Sequence, residues 1–420
     1  MSKKIKVLTI SDHPLLPSGV GTQTKYMIEA LLDSGKFEVI SLGGAVQHPD
    51  YSPIQTDKYG PLWTIFPIDA YGDKMSIRAV IQQHKPDMMW FMTDPRFYDW
   101  LWQIDDEIRP NIPMVYYHVW DNFPIPTFND RWYCSNDYIA TISKVTSEIV
   151  QSVAPKVKEK YIPHAVDSRI FQKLTDPETV EKMKTMKEQY GLSTKTVFFW
   201  NNRNARRKQS GTLIFWFKKF LDKVGHDKAV LLMHTDLDDP HGQPLNYLTE
   251  HLGLTDGQVI FSTEKLPPEY MAQMYNIADC TVNISDAEGF GLSTLESLAC
   301  QTPIIVSMTG GLQEQVTNGK EWFGIGIEPA SKAIIGSQQV PWIYEDRISE
   351  EDFLNAMETM FNMSKKERAA LGKKGFEHVN KNYNFKDYQE TWVKTMVEIH
   401  DEFGSWETRK GYTQWECVEL

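Results

Sequence analysis

Two carboxylates and two cations carry most of the chemistry that this sequence offers. Glu288 and Glu296 lie in the stretch DAEGFGLSTLES, Asp286 to Ser297, one beside two glycines and the other within an apolar segment. Carboxylates placed in this way accept hydrogen bonds from sugar hydroxyls. Between them Phe290, Gly291 and Leu292 stand where a helix would begin, and the N–H groups of a helix N-terminus favour a phosphate. The second pair, Arg203 and Lys208, lies in TVFFWNNRNARRKQSG. Cations at the end of a strand and in the loop after it can hold a diphosphate. Arg206 and Arg207 in the same run read as solvated charges. Sugar and diphosphate together describe a nucleotide sugar. SGVG, at Ser18 to Gly21, is a further phosphate candidate, because Gly19 and Gly21 would let the backbone approach an anion at a helix start; a tight turn needing positive φ would use the same glycines.

These residues need strands to place them. Ile5 to Ile10 is a short apolar run with little alternation, as in a strand buried on both faces of a parallel sheet. SGVG, a helical KYMIEALLD and a second strand, FEVISLG, follow it. MMWFMTD, PMVYYHV and DYIATIS continue the plan, and TVFFWNN, AVLLMHT, QVIFST, CTVNIS and TPIIVS repeat it in the second half, with helical stretches between. The expectation is an α/β chain of two Rossmann-like domains, 1–160 and 161–385, followed by a helical segment, 386–420, packed over the domain surfaces. Residues 328–348 show weak periodicity and are expected to form an ordered surface loop.

Composition limits the alternatives. With 420 residues the chain is too long for one ordinary core, and its 41% hydrophobic content with 13 tryptophans belongs to a folded protein. The net charge of −12 argues against a large nonspecific nucleic-acid or anionic-membrane surface. Cys134, Cys280, Cys300 and Cys417 make no CxxC or metal-type cluster, which fits a reduced cytoplasmic protein without structural zinc. MSKKIKVLTISDHP suits a buried first strand better than a signal peptide, and no stretch approaches a transmembrane span.

The E-x7-E spacing of Glu288 and Glu296 resembles the motif of the family 4 retaining glycosyltransferases, also called glycosyl transferases group 1, whose GT-B fold has two facing Rossmann-like domains. YMAQMYNIADCTVNISDAEGFGLSTLESLACQTPIIVSMTGGLQEQV is similar to that family's donor-side signature throughout. The resemblance implies that Arg203 and Lys208 hold the donor diphosphate, Glu288 the hydroxyls of the transferred sugar and Glu296 the ribose. It also implies that SGVG is the N-terminal glycine loop, and that His118 in YYHVWD is an active-site histidine. Asn202 stands where glycine is commoner, and Ser18 replaces a first glycine. The implied reaction is transfer of a sugar with retention, with a uridine diphosphate sugar as the expected donor and no cofactor. The residues themselves point to transfer without a metal: no DxD lies between the apolar strands of the second half, the acidic TDLDDP run after AVLLMHT reads as a loop, and Arg203, Lys208 and the amides around Gly291 would meet the diphosphate charge. The acceptor stays open among a glycan, a lipid-linked sugar, a small molecule and a hydroxymethylated base in DNA. A GT-B nucleotide-sugar epimerase or a noncatalytic nucleotide-sugar-binding protein would share the architecture. A phosphorylase would need a cofactor lysine, and a nicotinamide dehydrogenase would leave the E-x7-E segment unexplained.

Overall fold

The structure is a computed structural model describing residues 3–413, so Cys417 lies outside the described residues. Chain contacts divide it into two compact units: Met1–His164 with Ser337–Pro341 and Lys386–Leu420, and Ala165–Gly336 with Trp342–Phe385.

The first unit is built on β1 (Ile5–Asp12), β2 (Phe37–Gly44), β3 (Ile54–Gln55), β4 (Trp63–Pro67), β5 (Met88–Thr93), β6 (Met114–His118), β7 (Tyr138–Thr141) and β8 (Lys158–Tyr161). They form one sheet in the order β3-β4-β2-β1-β5-β6-β7-β8, parallel except for β3. Every residue of β5 and β6 is buried, which is why MMWFMT and MVYYH read as unbroken apolar runs. The C-terminal helix Phe385–Phe403 completes this core. Trp392 sits edge-on to Trp90 at 5.9 Å and to Tyr117 at 4.9 Å. The tail is therefore a working part of the first unit's core.

The second unit contains β9 (Thr196–Asn201), β10 (Ala229–His234), β11 (Val259–Ser262), β12 (Cys280–Asn283), β13 (Ile304–Ser307) and β14 (Gly324–Ile327). Its sheet order is β11-β10-β9-β12-β13-β14, with every pairing parallel. Phe198 and Trp200 of β9 are fully buried against Phe217 and Phe220 of the helix Ser210–Val224. The strand order reverses between β9 and β12. In open α/β sheets the crevice beyond the strand carboxyl ends at such a switch point takes the ligand. The loops leaving β9 and β12 are the ones that carry Arg203, Lys208 and Glu288.

Strands β3, β4, β8 and β14 are not among those expected from the sequence. KEKY of β8 is an edge strand with no buried residue, and GIGI of β14 is an edge strand rich in glycine, so neither offers an apolar alternating run. The segment expected as a loop contains an antiparallel hairpin, β15 (Ser331–Ile335) with β16 (Ile343–Arg347).

Candidate functional site

Lys208 is held by the local geometry of the loop after β9. Asn204, fully buried, accepts from Ser210 Oγ at 2.7 Å and donates to the Gln243 carbonyl at 2.8 Å, so the loop is pinned at its middle. A short 3-10 turn, Arg206–Lys208, follows, and Gln209 takes a left-handed φ of 56° before the helix begins. Such a conformation is costly for a residue with a side chain. Two side-chain bonds offset it: Gln209 donates to Asp286 at 2.6 Å and accepts from Thr212 at 2.6 Å. The turn directs Lys208 inward, where it is 7% exposed, and its ammonium donates to the Glu288 carboxylate.

Glu288 is equally buried. Burial works to raise its pKa, but Lys208, Arg207 and a hydrogen bond from Asn283 overcome that and hold it below the ordinary carboxylate range. Asn283 Nδ2 lies 3.4 Å and Ser285 Oγ 3.5 Å from the same carboxylate oxygen. These two residues lie inside the NISDAEGF segment, but their role was not read from it.

Gly291 sets the next element. Its φ of 90° is left-handed, and a Cβ there would lie 2.5 Å from Leu312 Cδ2. Gly311 packs its bare Cα against the same loop, where a Cβ would come within 2.6 Å of Phe290 Cα. Gln315 donates to the Phe290 carbonyl at 2.6 Å and to that of Gly291 at 3.1 Å. The helix Leu292–Ala299 starts at Gly291 with no side-chain cap, which leaves its first-turn amides directed at the loop. The helix Gly19–Asp33 differs, because Ser18 Oγ accepts from Gly21 N at 2.9 Å.

Glu296 is half-buried one turn into its helix. Tyr275 OH donates to it at 2.6 Å and itself accepts from Asn201 Nδ2 at 2.8 Å. Burial pushes the carboxyl up to about 7, and the Tyr275 hydroxyl acts against that rise. Tyr275 is fully buried and lies within the quoted YMAQMYNIA stretch, where it is one aromatic among apolar residues. Nothing in spacing alone marked it.

The remaining cations are not idle. Arg203 is exposed and pairs with Asp239, Nη2 to Oδ1 being 3.1 Å, and with His241 Nδ1 at 3.0 Å. The TDLDDP run thus supplies Arg203 with a partner. Arg206 and Arg207, expected as solvated charges, are exposed and also make fixed contacts. Arg206 forks onto Glu345, which is 2% exposed, with Nη1 to Oε2 at 2.8 Å. Arg207 donates to the Ala287 carbonyl at 2.6 Å. The β15–β16 hairpin is tied to this loop again where Asp346 N donates to Asp286 O at 2.8 Å and Arg347 approaches the Asp286 carboxylate at 3.3 Å. Among the described residues no group of three His, Cys, Asp or Glu side chains gathers as a metal site.

Two candidates stand in the first unit. Gly19 is exposed at the helix start, whereas Gly21 is buried and a Cβ there would lie 2.8 Å from His13 O, so Gly21 answers to backbone packing. His118 is fully buried. Its Nε2 meets Tyr133 OH at 2.7 Å, its ring packs by Tyr116 and Tyr133, and burial lowers its pKa to about 3. It is a neutral, enclosed imidazole with no surface for a sugar to touch. Its Nδ1 has no hydrogen-bond partner, and the active-site role that the resemblance implies for His118 stays an expectation.

Residues 182–377 match the family described as "Glycosyl transferases group 1". One curated relative is the GDP-mannose-dependent alpha-(1-6)-phosphatidylinositol monomannoside mannosyltransferase of Mycolicibacterium smegmatis, 27% identical over 192 residues, 44% of this chain and 47% of the relative. Another is the N-acetyl-alpha-D-glucosaminyl L-malate synthase of Bacillus anthracis, 22% identical over 56% of this chain and 57% of that protein. The chain thus spans about half the length of these two curated relatives. Among solved structures, sucrose-phosphate synthase from Thermosynechococcus elongatus superposes with a TM-score of 0.73 at 16% identity, covering 95% of this chain and 100% of that one. HepE of Anabaena, in complex with UDP and glucose, superposes at 0.68 and 14% identity, covering 94% and 100%. A matched segment that contains the loops after β9 and β12, and a fold shared over nearly the whole chain, lead to one conclusion: residues 182–377 are similar to the group 1 glycosyltransferases, and the chain has the GT-B fold.

Proposed function

We propose that the protein transfers a sugar from a nucleoside diphosphate sugar to an acceptor hydroxyl, with retention of configuration and without a divalent metal. The observation that carries this reading is the buried Lys208–Glu288 pair, set at the β9/β12 switch point beside a helix N-terminus that no side chain caps. A cation, a carboxylate and open amides in one recess match a ligand with both a diphosphate and hydroxyls.

In this reading Lys208 and the amides of the 292–299 helix take the diphosphate and meet the charge of the departing nucleotide. Arg203 joins them by giving up Asp239. Glu288, released by Lys208, accepts from hydroxyls of the transferred sugar, and Glu296 accepts from the ribose. Gly19 offers an exposed amide at the start of its helix; Gly21 is assigned to packing. No side chain of the site is aimed as a nucleophile, which favours a front-face route in which the leaving phosphate helps to deprotonate the acceptor. The similar proteins include a GDP-mannose-dependent mannosyltransferase and a structure in complex with UDP and glucose. A uridine diphosphate sugar is the first donor to test, and the acceptor is a hydroxyl of a glycan, lipid-linked sugar or small molecule.

The test is a panel of UDP-, GDP- and ADP-sugars with mixed acceptors, read by nucleotide release and by proton NMR of the product's anomeric centre. Release with a retained linkage is expected, with loss of release in the Lys208→Met/Glu288→Gln chain. An inverted product, or release unaffected by the double substitution, would overturn the assignment. Isomerised donor without acceptor would mark an epimerase instead.

A further inference from the structure

The amino ends of the second unit's strands enclose a different chemistry. A cavity of 370 Å³ opens there, walled by Thr196 at the start of β9, by Asp279 just before β12 and by Pro303 just before β13. Because the strands are parallel, this edge is opposite the carboxyl ends that carry Lys208 and Glu288, roughly 13–20 Å away along strands of four to six residues.

Lys173, Lys187, Lys195, Lys365 and Arg368 all line the cavity, and Asp279 is its lone carboxylate. In a chain of net charge −12, that concentration of positive charge is unusual. Asp279 is already committed: its Oδ2 accepts from Val197 N at 2.9 Å, and its Oδ1 accepts from Arg368 at 3.3 Å. The four lysines form no ion pair among the described residues. Arg368 is 7% exposed, and its Nε is buried with no hydrogen-bond partner. Burial pulls Lys187 below the ordinary ammonium range; Asp279 acts against this, while Lys365, Lys173 and Arg368 add to it. Like charges are being held together here at a cost that an anion would relieve.

Helix C-termini attract single cations, and the helices Pro177–Gln189 and Pro268–Ile277 both end near this cavity. That accounts for Lys187, in the last turn of the first of these helices. Arg368 is fixed by the Met360, Phe361 and Met363 carbonyls at the end of the helix Glu350–Asn362 and by Asp279, but neither effect accounts for four unpaired ammonium groups around one recess. We propose that the cavity binds a compact multivalent phosphate, a pyrophosphate or a phosphate monoester, at a site distinct from the donor loops. Lysine suits a phosphate as a mobile point charge, and the buried Arg368 gives the site a fixed wall.

The experiment titrates the full chain with pyrophosphate by calorimetry. It is repeated in the Lys208→Met/Glu288→Gln chain, which removes the buried charge pair of the donor loop without leaving either member alone and keeps Arg203, Arg206 and Arg207. Binding should persist in that double variant, weaken at higher salt, and fall by at least ~10-fold when Lys187→Gln and Lys365→Gln are made together. Lys173→Gln with Lys195→Gln is the second pair, read in the same way if the first does not fold. Three results would overturn the proposal. They are no pyrophosphate binding once the Lys208–Glu288 pair is removed, binding untouched by a folded lysine variant, or a lysine-dependent attachment to phosphatidic acid vesicles with no binding of soluble pyrophosphate. The last result would assign these lysines to a membrane surface.

Discussion

The Lys208–Glu288 pair allows a test in which the single and double substitutions have opposite expectations. The two side chains are 8% and 11% exposed. Removing either one strands the other as a buried, unpaired charge, which costs about 3–5 kcal/mol. Removing both with Lys208→Met and Glu288→Gln leaves no charge, so the double should cost no more than either single. At about 2–4 °C per kcal/mol for a unit of this size, each single should lower the Tm by roughly 6–20 °C. Scanning calorimetry of the four proteins at pH 7.5 gives the coupling, expected to be at least ~2 kcal/mol. If the single losses simply add in the double, the pair is not coupled in the folded protein and the geometry described for the donor loop is wrong.

The pH dependence adds a second check with a definite sign. In the native protein the Glu288 pKa is depressed, so its contribution is present above the unfolded value of about 4.3 and is lost as pH falls through the folded pKa. In Lys208→Met, burial acts with less opposition and the carboxyl moves up. The charged form then becomes a cost that grows as pH rises. The stability gap between native protein and Lys208→Met should therefore be small near pH 4 and widen toward pH 8. A gap independent of pH would show that Glu288 is not the group left stranded.

Other substitutions read other parts of the site. Glu296, raised to about 7 by burial, ionises across neutral pH, so affinity for a nucleoside diphosphate should rise from pH 6 to 8 as the accepting carboxylate forms; calorimetry should find this slope gone in Glu296→Gln, and an unchanged slope would remove Glu296 from the ribose. Gly291→Ala puts a side chain at a φ of 90° and against Leu312, and should cost at least about 1–3 kcal/mol in denaturant unfolding. A midpoint equal to the native one would mean that the turn is not held in this shape. Transfer should continue in excess EDTA, since Lys208 and the helix amides meet the diphosphate charge; activity that disappears and returns with manganese would place a metal there instead.

How much of this was legible depends on which force leaves a trace in sequence. Buried parallel strands do, because both faces need apolar side chains, as in TVFFWN and AVLLMH. The strand ends followed from their alternation with helices, and with them the loops of Lys208 and Glu288; the strand order that brings those loops together did not. Edge strands such as KEKY leave no such trace. Partners did not show either. Asp239 for Arg203, Glu345 for Arg206, Tyr275 for Glu296 and Asn283 for Glu288 lie 36, 139, 21 and 5 residues away. A pairing across such separations is created by the fold, and only its types are written in the chain. The weak periodicity of residues 328–348 concealed a hairpin whose Glu345 and Asp346 hold the donor loop from outside. His118 shows the converse. A histidine at a strand end looks the same in sequence whether it faces a ligand or, as here, a tyrosine inside an aromatic core.

The pairings also bear on selectivity. Each charged group assigned to the donor already has a protein partner: Lys208 with Glu288, Arg203 with Asp239, Glu296 with Tyr275. A ligand gains only the difference between its own contacts and those it displaces. Free phosphate can take Lys208, but it leaves Glu288 buried without its cation. A free sugar can satisfy Glu288, but it offers Lys208 nothing. A ligand that carries both groups at the right separation exchanges one complete set of contacts for another and strands no charge. In the reading proposed here, the buried pair therefore favours a nucleotide sugar over either of its halves, and the discrimination comes from the cost of leaving one member of the pair behind.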